Sequence, residues 1–100
     1  MTKVKEKVIE DYLIEELKKI GVETRKVKFL GVNGAPDRLI LTHGGIYVEC
    51  KRPGETLRKK QVEIHKELHA ASIPVMTIDT KEQVDALVGN LGKCTQLNKS

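Results

Sequence analysis

An α/β fold with a mixed central sheet flanked by helices is predicted for this 100-residue chain by three observations. Three stretches carry apolar residues at helical spacing, and four short runs between and after the first two are β-branched or alternate in polarity. Clusters of Gly, Pro, Asn and Asp separate them. One run, Ile46 to Arg52, is nearly continuous in apolar character at its start, as expected of a central strand covered on both faces.

The elements follow in the order α-β-β-β-α-β-α. From Val4 to Ile20, Ile9, Leu13, Leu17 and Ile20 recur on one helical face, and Gly21 supplies a stop. Val22 to Phe29 reads as a strand with Val27 and Phe29 on one side and basic residues on the other. Leu30 to Pro36 is a loop, after which Asp37 to Thr42 and Ile46 to Arg52 form two arms of a hairpin turned by His43-Gly44-Gly45. Pro53-Gly54 ends the second arm, and Thr56 is the expected cap of a helix running to about Ala71. Pro74 to Asp79 is a short strand, and Thr80-Lys81-Glu82-Gln83 has the spacing of a capping box opening the last helix. Gly89-Asn90-Leu91-Gly92 reads as the end of that helix. One domain over residues 1–94 and a polar tail from Thr95 to Ser100 are expected.

Composition narrows the class. Apolar residues make up 39% and charged residues 32%, with three aromatics in all and no Trp, which suits one small domain with a thin core that a dimer interface would supplement. The longest apolar runs fall far short of the ~18 residues of a membrane span. The charged start, Met1-Thr2-Lys3-Val4-Lys5-Glu6, has no signal-peptide pattern, and Cys50 and Cys94 suggest free thiols in a reducing compartment. A cytoplasmic protein is expected, in the host cytoplasm if viral. The net charge of +4 permits an acidic partner, and its distribution says more. Lys51, Arg52, Arg58, Lys59 and Lys60 stand against Glu55 alone between residues 51 and 60, a basic cluster suited to phosphate. Arg25, Lys26 and Lys28 add a second basic edge, and so few aromatics disfavour base stacking on single strands.

The chemistry centres on Glu49-Cys50-Lys51. Strand parity projects Glu49 and Lys51 to one face and Cys50 to the other. With a three-residue turn, Asp37 would lie across from Lys51 on that same face. Asp37 and Glu49 offer hard oxygen ligands for Mg²⁺, the Cys50 backbone carbonyl a further one, and Lys51 a charge to orient water and offset a phosphodiester transition state. A solvated salt bridge at a strand end would use the same triplet. Two polar residues on otherwise apolar helix faces weigh against it: Gln61 in the stripe Leu57, Gln61, Ile64, Leu68, and Glu6 ahead of Ile9, Leu13 and Leu17.

The ordered set Gly34-Ala35-Pro36-Asp37-Arg38, Glu49-Cys50-Lys51 and Gln61, with the Glu6 to Gly21 spacing before it and the Lys51-Arg52-Pro53-Gly54 strand exit, resembles the VRR-NUC (virus-type replication-repair nuclease) branch of the PD-(D/E)XK nuclease superfamily over most of the chain. The resemblance implies a restriction-endonuclease-like αβββαβ core and a DNA-cleaving site using Mg²⁺, with Mn²⁺ as a substitute. In that site Asp37 and Glu49 would bind metal, Lys51 would be the base or water-orienting residue, and Glu6 and Gln61 would complete the constellation. Glu10, one turn beyond, is a competing match for Glu6. Arg38, Arg52, Arg58, Lys59 and Lys60 would contact nucleic acid. Short stand-alone members of the family resemble dimers that cut four-way junctions, so a homodimer acting on branched DNA such as a Holliday junction is implied, in a phage or bacterial setting. Rival readings are a DNA-binding or assembly module that keeps the fold without cleaving, and a less selective nicking or restriction-like endonuclease.

Two signals are set aside. His65 and His69 have a zinc-compatible i, i+4 spacing but no third ligand, and read as surface histidines of an amphipathic helix. Cys50, turned away from Lys51 by parity, is expected to be inert.

Overall fold

The computed structural model describes residues 5–98, with side chains described through Gly92. The elements are α1 (Glu6–Lys19), β1 (Thr24–Lys26), β2 (Arg38–Ile40), β3 (Ile46–Cys50), α2 (Lys59–Ala70), β4 (Val75–Ile78) and α3 (Lys81–Asn98), the predicted succession. Val4, the expected start of α1, lies outside the described residues, as do the Cys94 side chain and the last two residues of the expected tail. The sheet order is β1-β2-β3-β4, with β1, β2 and β3 antiparallel and β4 parallel to β3. The sheet is therefore mixed, and β3 is an interior strand, as its apolar run requires.

One face of the sheet carries the apolar core. Ile9, Leu13 and Leu17 of α1, Ile40, Val48, Cys50 and Ile78 of the sheet, and Val84, Leu87 and Leu91 of α3 form one buried cluster. Burial of such a side chain contributes roughly 1.5–3 kcal/mol, so this layer of α1, α3 and sheet is the anchor of the fold. Tyr12 Oη donates to Asp85 at 2.6 Å and joins the two helices at their rim. The other face is covered by α2, and there the buried polar residues Gln61, His65, Glu49 and Lys51 lie alongside the buried Leu68 and Val75.

Four local expectations are corrected. β1 is shorter than the predicted Val22 to Phe29 run, its pairing closing with the Val27 N–H donating to the Asp37 carbonyl at 2.9 Å. Phe29 leaves the ladder and packs edge-on against Tyr47, with ring centroids 5.5 Å apart. α2 begins at Lys59 rather than behind a Thr56 cap, because the side chain that closes its first turn is Gln61, whose Oε1 accepts the Arg58 N–H at 2.9 Å. The hairpin pairs Ile40 with Ile46, so its loop spans residues 41–45 instead of three residues. His43, Gly44 and Gly45 all adopt positive φ there, so the reversal itself falls on the three residues expected to make it. Finally, α3 continues through Gly89-Asn90-Leu91-Gly92 and past Thr95, since neither glycine takes the left-handed conformation that ends a helix. The Thr80–Gln83 capping box forms as expected, with the Gln83 N–H donating to Thr80 Oγ1 and the Thr80 N–H to Gln83 Oε1, both at 3.2 Å.

The loop that delivers Asp37 is pinned to α2. Gly34 has φ +86° and sits so close that a Cβ would fall 2.6 Å from the Lys60 carbonyl carbon and 2.8 Å from the Gln61 nitrogen. Both obstacles are backbone and cannot swing aside. Gly34→Ala is therefore expected to destabilise the chain by about 2–4 kcal/mol, combining a strained φ with overpacking. Urea unfolding checks this; a change under about 0.5 kcal/mol, the range of neutral surface substitutions, would refute the close approach.

Candidate active site

Parity and register together bring the acids to one place. Continuing the β2–β3 register one pair beyond Arg38↔Val48 sets Asp37 across from Glu49, not from Lys51 as the three-residue turn implied. The displacement is two residues, so every side chain keeps its predicted face while the two carboxylates come closer. Glu6, the first residue of α1, reaches the same point from the helix end. Carboxylate oxygens of Glu6, Asp37 and Glu49 all lie within 4.8 Å of one another. Glu10 is not among them: its Oε2 accepts from Arg38 Nε at 3.0 Å, while Arg38 Nη1 donates to Thr24 Oγ1 at 3.0 Å. Of the two candidate acids of α1, the structure thus brings Glu6 to the cluster and pairs Glu10 with Arg38. It also withdraws Arg38 from the predicted nucleic-acid surface, because its side chain is 11% exposed and committed to Glu10.

The acid cluster is electrostatically unsatisfied. Asp37 Oδ1 and Glu49 Oε1 are buried with no hydrogen-bond partner among the described residues. Burial, reinforced by Asp37 and opposed by Lys51, pushes the Glu49 carboxyl up to about 7. Burial likewise raises Asp37, with Glu10 adding to it, and raises Glu6, with Asp37 adding to it. Hard oxygens from three carboxylates, two of them with an orphaned buried oxygen, are a donor set suited to a divalent cation, which would supply the missing positive charge. One consequence concerns the metal-free protein. Between about pH 4.5 and 7 the folded chain retains a proton on Glu49 that the unfolded chain has released, so raising the pH through this interval favours unfolding. Thermal unfolding in EDTA should show stability falling from pH 5 to 7.5 through this group, and Glu49→Gln should flatten the slope. An unchanged slope in the variant would refute the shift.

Lys51 follows Glu49 on the same face and is 6% exposed. Its N–H donates to the Ile78 carbonyl at 2.9 Å, extending the parallel pairing beyond the end of β3 and fixing where the side chain starts. The ammonium has no hydrogen-bond or ion-pair partner among the described residues, yet its charge lowers the proton affinity of Glu6, Glu49 and Glu55. The loop after it is held by the Gly54 N–H donating to Asp79 Oδ2 at 3.2 Å and the Arg52 N–H to Glu55 Oε1 at 3.2 Å. Arg52, Arg58, Lys59 and Lys60 are exposed around this exit, and Arg58 is near enough to favour the ionised form of Glu49.

Gln61 is buried as predicted, but its amide oxygen serves the Arg58 N–H and so sets the start of α2. Cys50 points to the apolar layer, and burial raises its thiol to about 12. His65, expected on the surface, is instead 8% exposed, while His69 Nε2 lies 3.1 Å from the Val75 carbonyl oxygen. The buried stripe of α2 is Gln61, His65, Leu68, rotated by one residue from the expected Gln61, Ile64, Leu68. Residues 61, 65 and 68 also obey helical spacing; treating His as polar hid the stripe.

Among the described residues no helix is long and apolar enough to cross a membrane. No family model matches the sequence. The chain is similar to "Putative nuclease p44" of Acyrthosiphon pisum secondary endosymbiont phage 1, at 37% identity over 84 residues, covering 82% of this chain and 90% of that protein. A solved structure described as a VRR_NUC domain superposes with a TM-score of 0.75 at 28% identity, covering 84% of this chain and 94% of the other. The sheet order, the clustered acids beside Lys51 and these two likenesses lead to one assignment: the chain belongs to the VRR-NUC family of nuclease domains.

Proposed function

We propose that this protein is a Mg²⁺-dependent endodeoxyribonuclease, with Mn²⁺ as a substitute ion, that acts as a homodimer on branched DNA such as a four-way junction. The observation that carries the reading is the convergence of Glu6, Asp37 and Glu49 within 4.8 Å, with two buried oxygens left without partners among the described residues, beside a buried Lys51. Asp37 and Glu49, with the Cys50 backbone carbonyl, would hold the ion, and Glu6 would complete its surroundings. The bound ion supplies Lewis-acid polarisation of the phosphodiester and a source of activated water.

The remaining work falls to the chain's own groups. Lys51 orients the attacking water and offers positive charge to the phosphate oxygens as negative charge builds in the transition state. Arg52, Arg58, Lys59 and Lys60, exposed beside the acids, hold flanking phosphates and set the backbone across the site. Gln61 acts by fixing the first turn of α2, and with it the position of Arg58. A small domain with a thin core and one site gains a second cut strand by pairing, which motivates the dimer.

The test is cleavage of end-labelled four-way junction, matched linear duplex and single strand in Mg²⁺, alongside light scattering. Paired symmetric cuts confined to the junction, from a species of twice the chain mass, are expected. Cutting of every substrate would remove junction selectivity, a monomer at micromolar concentration would remove the paired-site mechanism, and binding without cutting in either ion would leave a non-catalytic module.

A further inference from the structure

Glu6 is the least anchored of the three clustered acids. Glu49 belongs to a strand paired on both sides, and the Asp37 carbonyl accepts the Val27 N–H at 2.9 Å. Glu6 instead opens α1, where the N-cap Lys5 provides no side-chain hydrogen bond, and it precedes Ile9, the first buried residue of the helix. Carboxylates within 4.8 Å of one another repel when ionised, and the repulsion acts most on the one at an uncapped helix end.

One turn on, Glu10 lies on the same side of the helix as Glu6. Its Oε2 accepts from Arg38 Nε at 3.0 Å, and Arg38 Nη1 donates to Thr24 Oγ1, also at 3.0 Å. Arg38 follows Asp37 directly and is paired on both sides, with Lys26 of β1 and Val48 of β3, so its backbone cannot shift alone. The Arg38 and Glu10 side chains are 11% and 15% exposed, a setting in which salt screens an ion pair little. The guanidinium thus joins the part of α1 that carries Glu6 to the strand end that carries Asp37.

We propose that Arg38 is a positioning residue for the acid cluster: held by Thr24, it grips Glu10 and so sets the rotation and height of α1 that bring Glu6 to Asp37 and Glu49. The apolar stripe of Ile9, Leu13 and Leu17 selects the side of α1 that meets the sheet, but such a stripe spans about 100° and its contacts are not directional. A planar guanidinium with two hydrogen bonds is directional. The same grip keeps Glu10, the neighbouring acid, on Arg38 and off the ion.

The metal-binding part of the test rests on the proposed nuclease reading; the exchange part does not. Full-length wild type, Arg38→Met, Glu10→Gln and the double variant Glu10→Leu/Arg38→Met are compared without DNA. The double variant is included because replacing both members of an ion pair by apolar groups keeps a fold that losing one member endangers. In EDTA, hydrogen exchange at the amides of the first two turns of α1 is expected to quicken at least about fivefold in Arg38→Met and in the double variant, with the turn of Leu17 unchanged. Titration calorimetry should show Mn²⁺ affinity weakened about tenfold in both, and within about threefold of wild type in Glu10→Gln, whose amide oxygen still accepts from Arg38. Exchange that is unchanged, or that quickens equally along all of α1, would reduce the pair to general stability and overturn the proposal. So would wild-type Mn²⁺ affinity in the double variant, or a Glu10→Gln loss larger than that of Arg38→Met, which would make Glu10 a ligand. If wild type binds no Mn²⁺, the ion assignment fails and the exchange pattern alone decides the role of Arg38.

Discussion

Lys51→Ala is expected to lower the cleavage rate by about 10²- to 10³-fold, the scale of losing one preorganised electrostatic group, while leaving DNA affinity within about twofold. The split follows from where the ammonium sits. Lys51 is buried beside Glu49, whereas Arg52, Arg58, Lys59 and Lys60 are exposed and, in the proposed reading, would carry the ground-state contact with phosphate. Its charge is therefore used most as the transition state forms. The substitution also removes an ammonium that has no hydrogen-bond or ion-pair partner among the described residues, so the fold should survive, and circular dichroism can separate lost chemistry from lost structure. Single-turnover cleavage with anisotropy binding decides the matter; parallel losses in both would make Lys51 a DNA-binding residue instead.

Glu49→Gln has an effect of equal size and a more unusual signature. The variant should bind no divalent ion at the cluster and cut no DNA, yet in EDTA at pH 8 it should be more stable than wild type, on the order of 1–3 kcal/mol. At that pH the wild-type carboxylate is ionised and buried, with no hydrogen bond to Oε1 among the described residues, and the amide removes that charge. The gain should vanish near pH 5, where Glu49 is already protonated. Added Mg²⁺ should reverse the order by stabilising wild type alone. A variant less stable than wild type in EDTA at pH 8 would mean that the carboxylate is satisfied within the fold.

Much of this site is legible without coordinates because it depends on parity and helical period. Glu6 ahead of Ile9, Leu13 and Leu17, and Glu49 with Lys51 on one strand face, are consequences of local geometry that survive any packing. Even the mistaken hairpin register spared them, since a displacement of two residues preserves faces. What local pattern cannot supply is the identity of partners distant in sequence. Arg38 has the look of a phosphate contact, but Glu10 and Thr24 reach it from α1 and β1. Thr56 is a good capping residue, but Gln61 is the group positioned to close the turn on Arg58. Gly89 and Gly92 are weak helix formers that tertiary packing carries, with Leu91 in the core between them. His65 reads as a surface histidine because hydrophobic periodicity does not count an imidazole, yet it lies buried in the α2 stripe between Gln61 and Leu68.

The central claim, that clustered carboxylates and a divalent ion cut DNA, is tested most directly by titrating Mg²⁺ into metal-stripped wild type and Glu49→Gln on labelled DNA. Wild type should be silent in EDTA, gain activity with the ion and lose it on chelation, and Glu49→Gln should stay silent throughout. Cleavage by wild type that persists in EDTA, or a Glu49→Gln variant that cuts as wild type does, would contradict the account.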